Sequence, residues 1–250
     1  MFLGTASVIF LIFATLGCSD SSSNQISTDS LTRTYQLAVP EELRYELTND
    51  LGERVGLGVF ESKISSTNPS IIVLQERYSR QDNPDAGDII TTRVSGANFS
   101  ALGGDRKVAS VKQLEVKEVS YTWKISESDA ERPMLQKTDN LDDSSSIRTK
   151  KLPNMPIYAN SSSFWLWRQL PLEVGYSASY IAVDPFEEKW QLVNITVPQS
   201  EILKTPFGEI PVWRVLVRSG RATRSAWIEQ SNPHRVLKWD NGLTVMTLVD

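Results

Sequence analysis

Cysteine and histidine, which supply many covalent and metal-binding sites, are almost absent from this 250-residue chain, which has only Cys18 and His234. One cysteine cannot form a disulfide within the chain, and this pair cannot supply the ligand set of a zinc-type centre. The formal net charge of -4 argues against a nucleic-acid surface. We therefore expect a fold that depends on its apolar core, with no cofactor, no metal and no nucleic-acid partner.

Catalytic motifs are equally scarce. Any Ser-His-Asp triad would have to use His234, which follows Pro233 in a turn signal, where a histidine is typically a surface or capping residue. Residues 175–179, Gly-Tyr-Ser-Ala-Ser, lack the last glycine of a nucleophile elbow, and no Ser-x-x-Lys occurs. The acidic stretch 139–143 lacks the glycine and distal glutamate of an EF-hand loop. We predict no catalytic residue, although paired carboxylates for glycoside hydrolysis stay open because Asp and Glu are plentiful.

The only long apolar run without a charge covers residues 8–16 and ends at Gly17 and Cys18. It is too short to span a bilayer with margin, since spanning takes about 20 residues. We therefore predict a cleavable export signal at residues 1–17. The small residue before the cysteine resembles the lipobox of bacterial lipoproteins, which implies cleavage between Gly17 and Cys18 and acyl chains such as palmitate on the Cys18 sulfur. An ordinary secretory signal and a retained anchor helix stay open.

Residues 18–34 are rich in Ser, Thr, Asn and Asp. Their few apolar side chains cannot offset the entropy of ordering the chain, so we predict a flexible tether that begins at the lipidated cysteine. Ser19, directly after the cysteine, resembles lipoproteins that are forwarded to an outer membrane. We expect an extracytoplasmic protein of the cell envelope, anchored to the membrane by lipid and facing the periplasm if the bacterium has two membranes.

Beyond the tether, the apolar pattern has a period of two, most clearly at residues 119–126. This period gives an extended segment one apolar and one polar face, so it predicts strands that cover a core. We expect about a dozen strands in an N-terminal β region (35–126) and a C-terminal β-meander (161–250), separated by a polar loop (127–160). Whether these form one β domain or two stays open. The other predicted strands are 35–39, 55–64, 71–78, 89–94, 176–183, 190–197, 210–217, 222–229, 236–239 and 243–249.

Short connections with turn chemistry predict that neighbouring strands are antiparallel. Pro206 fixes one backbone angle of a turn in which Gly208 can take a positive φ. Asn241 and Gly242 give the strongest hairpin signal in the chain. Helix is scarce, and the one predicted helix covers residues 161–170, between a run of serines and a proline.

Three patterns occur in order within residues 164–250. They are Leu-Pro followed by Gly (170–175), Thr-Pro-Phe-Gly followed by Trp-Arg (205–214), and Trp followed by Pro-His and Leu-Lys (227–238). Their order and spacing resemble the DUF3108-type bacterial envelope domain, whose fold is similar to the half-barrels of lipoprotein carriers. The resemblance implies a mainly β fold with a large curved antiparallel sheet, a half-barrel or a sandwich, and one short helix. It implies no catalytic residues.

Aromatic residues are concentrated in the second half of the chain, where six of the seven tryptophans lie between Trp165 and Trp239. Large aromatic side chains are the natural filling of a core without disulfides. The alternative is a cavity that holds an acyl chain or a sugar ring, and strand alternation does not separate the two. The candidate lining residues are Trp165, Trp167, Tyr176, Tyr180, Trp190 and Trp213.

Three functions follow from these features. The first is a non-catalytic, membrane-anchored β-rich module that binds or carries an apolar ligand such as a lipid. The second is an envelope scaffold that has a filled core and binds envelope proteins, and the third is a glycan or ester hydrolase. A cavity of more than about 300 Å³ would favour the first over the second, since ligand sites are typically at least that large.

Overall fold

The computed structural model describes residues 31–82, 87–112, 115–127, 133–141 and 144–250. These residues form fifteen strands in one sheet and one short helix, α1 (Ser163–Trp167). The predicted mainly β class is confirmed, although the strands are more numerous than the expected dozen. The strands are β1 (Glu41–Asn49), β2 (Arg54–Ile64), β3 (Ile71–Arg80), β4 (Gly87–Ser95), β5 (Ala101–Lys112), β6 (Glu115–Glu127), β7 (Pro133–Leu141), β8 (Ser144–Lys151), β9 (Ile157–Ala159), β10 (Ser177–Asp184), β11 (Lys189–Thr205), β12 (Gly208–Ser219), β13 (Ala222–Glu229), β14 (Val236–Asp240) and β15 (Thr244–Leu248).

The sheet has the strand order β8-β7-β6-β5-β4-β3-β2-β1-β15-β14-β13-β12-β11-β10-β9. Chain neighbours pair as antiparallel hairpins on both sides, and β1 pairs with β15 in the middle. Among the described strands, only β9 and β10 pair in parallel. The strands before and after the predicted polar loop therefore belong to the same sheet.

The sheet curves until its two ends overlap. Tyr180 and Ala182, on one face of β10, belong to the main core, whereas Ile181 and Val183, on the other face, belong to a second apolar cluster. The second cluster also contains residues from the opposite end of the sheet, namely Ala101, Tyr121, Trp123 and Leu135. No backbone pairing joins β8 to β9 in the described strands. The sheet is thus an unclosed half-barrel whose overlap is held by side chains.

Helix α1 lies inside the curve, directly after a 3-10 turn (Asn160–Ser162). Trp165, Leu166 and Leu170 are each at most 1% exposed and belong to the main core, where the Trp165 ring lies 5.5 Å from that of Phe60. Burial of these side chains accounts for a helix of only five residues, since so short a helix is not stable alone. The segment fills one end of the half-barrel, which we call the closed end.

The first described residues dock at the closed end. The Thr34 and Tyr35 amides donate to the Gln169 carbonyl oxygen, and Leu31, Leu37 and Val39 pack against the core. The last four residues of the predicted tether, 31–34, are therefore bound to the folded body. The predicted export signal with Gly17 and Cys18, and the tether up to residue 30, lie outside the described residues. Within the described ranges, no helix is both long enough and apolar enough to cross a membrane.

Two segments differ from the expectations. Residues 35–39, predicted as a strand, do not pair with the sheet, and the first strand begins instead at Glu41. The stretch 127–160, expected to be a polar loop, contains β7, β8 and β9. The described side chains of β8 are exposed, so its sequence carries no apolar alternation even though its backbone is fully paired with β7.

Candidate functional site

The concave face of the sheet is not completely filled. A cavity of about 280 Å³ lies beside α1, between residues of β3–β6 and residues of β10–β14. Apolar and aromatic side chains form much of its wall, including Trp167, Tyr180 and Trp239. Polar side chains also line the cavity, among them Glu76 on β3 and Arg106 on β5.

Glu76 is the most unusual group in this cavity, since its side chain is on the buried face of β3 and only 7% of the residue is exposed. Burial raises the pKa of Glu76 to about 8, and the neighbouring Asp88 adds to that shift. The Tyr78 hydroxyl donates to Glu76 Oε2 at 2.9 Å, which lowers the pKa but does not offset the burial. The carboxyl group is therefore mostly protonated at neutral pH.

Arg106 lowers the pKa of Glu76 but does not offset the burial, because Arg106 is paired with another carboxylate. Its guanidinium forms two hydrogen bonds to the Asp88 carboxylate, at 2.8 Å and 2.5 Å. The same group lies 4.3 Å from the ring centroid of Phe186, in the turn between β10 and β11. Arg106 thus binds a carboxylate on its own end of the sheet and an aromatic ring on the other end, across the overlap.

A larger cleft, of about 1040 Å³, opens at the end of the half-barrel that α1 does not fill. It is bounded by the ends of β1–β5 and by Thr244 at the start of β15. Leu47, Tyr78 and Val108 form its apolar wall, and Tyr78 also lines the inner cavity. The Tyr78 residue therefore lies between the cleft and the inner cavity.

Charged residues lie at the rim of the cleft and are paired with one another. Arg80 forms an ion pair with Asp82 at 2.7 Å, and Arg54 lies 3.5 Å from a carboxylate oxygen of Glu46. Each of these side chains is more than one-third exposed, so the pairs contribute little to stability. The opening thus has an apolar interior and a polar, nearly charge-balanced rim.

A comparison with protein families identifies the family to which this chain belongs. The sequence model of DUF3108, a family of proteins of unknown function, matches residues 44–249. The chain belongs to the DUF3108 family. The match reaches well beyond residues 164–250, which carried the sequence resemblance, and includes both halves of the sheet. No curated protein matches the chain.

This DUF3108 protein is also similar to solved structures. A β-barrel-like protein of the DUF1849 family from Brucella abortus is 14% identical, with a TM-score of 0.55 over 86% of this chain and 97% of that chain. A candidate lipoprotein from Parabacteroides distasonis is 10% identical, with a TM-score of 0.33 over 88% and 98% of the two chains. A protein with a YmcC-like fold from Bacteroides fragilis is 10% identical, with a TM-score of 0.29 over 86% and 97%. Of the three, only the DUF1849 likeness indicates a shared fold.

The candidate lining residues of this DUF3108 protein occupy different environments. Trp167 and Tyr180 line the inner cavity, where the indole nitrogen donates to the tyrosine hydroxyl at 3.0 Å. Trp165 is buried in the core instead, and Tyr176 and Trp213 pack against that core with part of their surface exposed. The sixth candidate, Trp190, is 44% exposed and is not among the residues that line the cavity.

The predicted turn residues lie at connections between strands of this DUF3108 protein. Pro206 and Gly208 lie at the β11–β12 turn, and Asn241 and Gly242 lie between β14 and β15. Gly208 has a φ of +111° and Gly242 a φ of +87°, a backbone region that favours glycine.

His234 is a structural residue in this DUF3108 protein. It is 5% exposed, lies between the rings of Tyr35 and Trp213, and places its Nδ1 atom 3.1 Å from the carbonyl oxygen of Glu229. The expectation of a surface or capping residue missed this burial. Neither the inner cavity nor the end cleft includes His234.

The remaining motif candidates also have structural partners. Ser179 lies within β10 and donates to Asn194 at 2.7 Å. Asp139 forms ion pairs with Lys137 and Arg148 at 3.0 Å and 2.5 Å, while residues 142 and 143 lie outside the described residues.

The sequence analysis missed the polar residues of the cavity. In β3, Ile72 and Leu74 are followed at the same spacing by Glu76, so the sequence does place a carboxylate on an apolar face. This charged residue at an otherwise apolar position was the signal by which the sequence could have identified Glu76 as a cavity residue. No comparable signal marks Arg106 or Arg224, whose positions depend on the register of the sheet.

Proposed function

We propose that this DUF3108 protein is a membrane-anchored module outside the cytoplasm that binds a small amphipathic molecule in the open end of its half-barrel. The observation that supports the proposal is the cleft of about 1040 Å³ at the open end of the half-barrel. Ligand sites typically measure about 300–1,000 Å³. The inner cavity of about 280 Å³ is slightly below that range, so the cleft is the main site and the inner cavity is its extension.

The cleft and the inner cavity together favour a ligand with both apolar and polar parts. Leu47, Val108 and the Tyr78 ring offer apolar surface in the interior, where an acyl or similar chain would lose contact with water. The inner cavity beyond Tyr78 has polar side chains, among them Asn160 and Ser219, which suit the polar part of such a ligand. A wholly apolar lipid would leave these polar groups without a role in binding.

The proposed anchor is the lipidated Cys18. The uncharged apolar run that ends at Gly17 and Cys18 supports it. Two or three acyl chains on one cysteine hold a protein firmly, since each buried methylene contributes about 0.8 kcal/mol. The first described residues dock at the closed end, so the chain enters the body away from the cleft. We further propose that the anchor lies in the outer membrane and that the domain faces the periplasm.

The anchor is tested by metabolic labelling with palmitate. We expect label on the wild-type protein and none on Cys18→Ser, which should also lose membrane fractionation. Unlabelled wild-type protein with unchanged processing of Cys18→Ser would contradict the anchor, and it would leave the cleft unaffected.

Binding is tested by native mass spectrometry of the full-length protein with and without an added C12 amphiphile. Val108→Trp places a large ring in the cleft and should abolish the bound mass, whereas Ile89→Trp, on the outer face of β4, should retain it. Circular dichroism would confirm that both variants fold. Equal binding by the two variants, or none by the wild type, would contradict the proposed site.

A scaffold is the second candidate, and one observation favours it. Helix α1 fills the closed end of the half-barrel with Trp165, Leu166 and Trp167, so a large part of the interior is solid. This function predicts that the full-length protein binds no amphiphile and instead yields reproducible crosslinks to envelope proteins.

A further inference from the structure

Arg224 differs from the other cation that lines the inner cavity. Arg106 is paired with Asp88, as described above. Arg224 lies on β13, on the same face as the fully buried Ala226 and Ile228, and it also lines the cavity. Its Nε atom is buried and has no hydrogen-bond partner, and it forms no ion pair with any residue that the structure describes. Arg224 is partly exposed, and within the described residues no carboxylate is paired with the guanidinium that it brings to the cavity wall.

The carboxylates of the same cavity do not fill this role. Asp184 accepts the backbone amides of Phe186 and Glu187 at 2.9 Å and 3.0 Å. Glu76 accepts the Tyr78 hydroxyl, and its raised pKa leaves it mostly neutral at pH 7. Neither residue forms an ion pair with Arg224.

An unpaired guanidinium beside aromatic walls is suited to one class of ligand group. A buried polar atom without a partner is unfavourable, and hydrogen bonds to an ionised partner are the strongest that such an atom can make. The planar guanidinium fits carboxylate and phosphate oxygens in a two-point arrangement. Ser219 lines the same cavity on the neighbouring strand and provides a hydroxyl donor.

We propose that Arg224 binds the anionic group, a carboxylate or a phosphate, of an amphipathic ligand held in the half-barrel. This inference rests on the proposed function and adds to it the chemical class of the ligand. It also sets the orientation, because the anionic group lies on the β12–β13 side of the cavity and the apolar part extends toward Tyr78 and the cleft.

Three probes with the same chain length separate the charge from the apolar part: dodecanoate, dodecyl phosphate and dodecanol. Binding to the purified full-length protein is followed through tryptophan fluorescence, since Trp167 and Trp239 line the cavity. We expect at least one anionic probe to bind the wild type about 10-fold or more tightly than dodecanol, as expected for a charge-assisted hydrogen bond. The tighter of the two anionic probes identifies the preferred group.

The variants test whether Arg224 carries that preference. Arg224→Gln should reduce the affinity for the preferred anionic probe about 10-fold or more and change the affinity for dodecanol less than twofold. Arg224→Lys should keep part of the preference, because the charge stays and the two-point geometry is lost. Arg221→Gln, on the exposed β12–β13 turn, is the matched control and should bind as the wild type does.

Two results would overturn the inference and leave the proposed function standing. One is dodecanol binding as tightly as both anionic probes, and the other is an equal loss for all three probes in Arg224→Gln. If no probe binds the wild type, the proposed function fails and the inference fails with it.

Discussion

Replacing Glu76 by glutamine should stabilise the protein at neutral and alkaline pH. In the folded state, burial raises the pKa of Glu76 from its ordinary value of 4.5 to about 8. The folded protein therefore holds this proton more tightly than the unfolded chain does. The stability that depends on it is fully present below pH 4.5 and is lost as the pH rises toward 8.

The size of the effect follows from the shift. Each pKa unit corresponds to about 1.4 kcal/mol, so a group that titrates about 3.5 units higher in the folded state removes at most about 5 kcal/mol between pH 4.5 and 8. At pH 7 the loss is about 3 kcal/mol. Glutamine is neutral throughout and retains an oxygen that accepts the Tyr78 hydroxyl. The free energy of unfolding of Glu76→Gln should therefore exceed that of the wild type by a margin that grows with pH.

The measurement is urea denaturation of the wild type and the variant at several values from pH 4.5 to 8.5. Glu173→Gln, at an exposed position before β10, is the control for removal of one carboxyl group. We expect the two wild-type and Glu76→Gln curves to coincide near pH 4.5 and to separate steadily up to pH 8. A difference that is independent of pH would refute the reasoning, because it would mean that Glu76 titrates alike in the folded and unfolded states.

Four further substitutions test the packing. Trp165→Ala should lower the free energy of unfolding by about 3–5 kcal/mol. Trp190→Ala, at a 44% exposed site, should change it by about 0.5 kcal/mol or less. Similar losses for the two variants in urea denaturation would contradict the assignment of Trp165 to the core and Trp190 to the surface. Arg168→Met should lower the free energy of unfolding by about 3–5 kcal/mol, because Glu41 loses the partner that it binds at 2.6 Å in a nearly buried site. An almost unchanged free energy of unfolding in the same assay would contradict that account. Gly104→Ala should lower the free energy of unfolding by about 1–3 kcal/mol, and with it the melting temperature. The reason is that a Cβ at this position would lie 2.1 Å from a carbonyl oxygen of β4. An unchanged melting temperature would show that the backbone shifts to make room for the methyl group.

The sequence predicted those strands whose two faces differ chemically. Tyr121 and Trp123 alternate with polar residues because one face of β6 is buried in the overlap, where both are 5% exposed. Strand β7 was missed because the charged residues Lys137 and Asp139 follow Leu135 on the same face, and β8 was missed because its described side chains are exposed to solvent. The first strand was predicted too early in the sequence, since Leu37 and Val39 pack against the core without joining the sheet.

The candidate site was predictable only in part. Trp167 and Tyr180 were identified from aromatic enrichment, which is a local property of the sequence. The pairing of Arg106 with Asp88, and the unpaired state of Arg224, depend on which strands are neighbours. Strand neighbours more than a hundred residues apart, such as β1 and β15, leave no mark on local periodicity.

The overlap of the two sheet ends has a consequence for the width of the barrel. In a barrel closed by hydrogen bonds, strand number and shear fix the diameter. Here the ends are joined by side chains such as Ile181 and Leu135, and by Lys137 beside Glu188 at 3.6 Å. The internal width of the half-barrel therefore depends on the size of these few side chains. Substitutions at this junction can widen or narrow the interior without the addition of a strand.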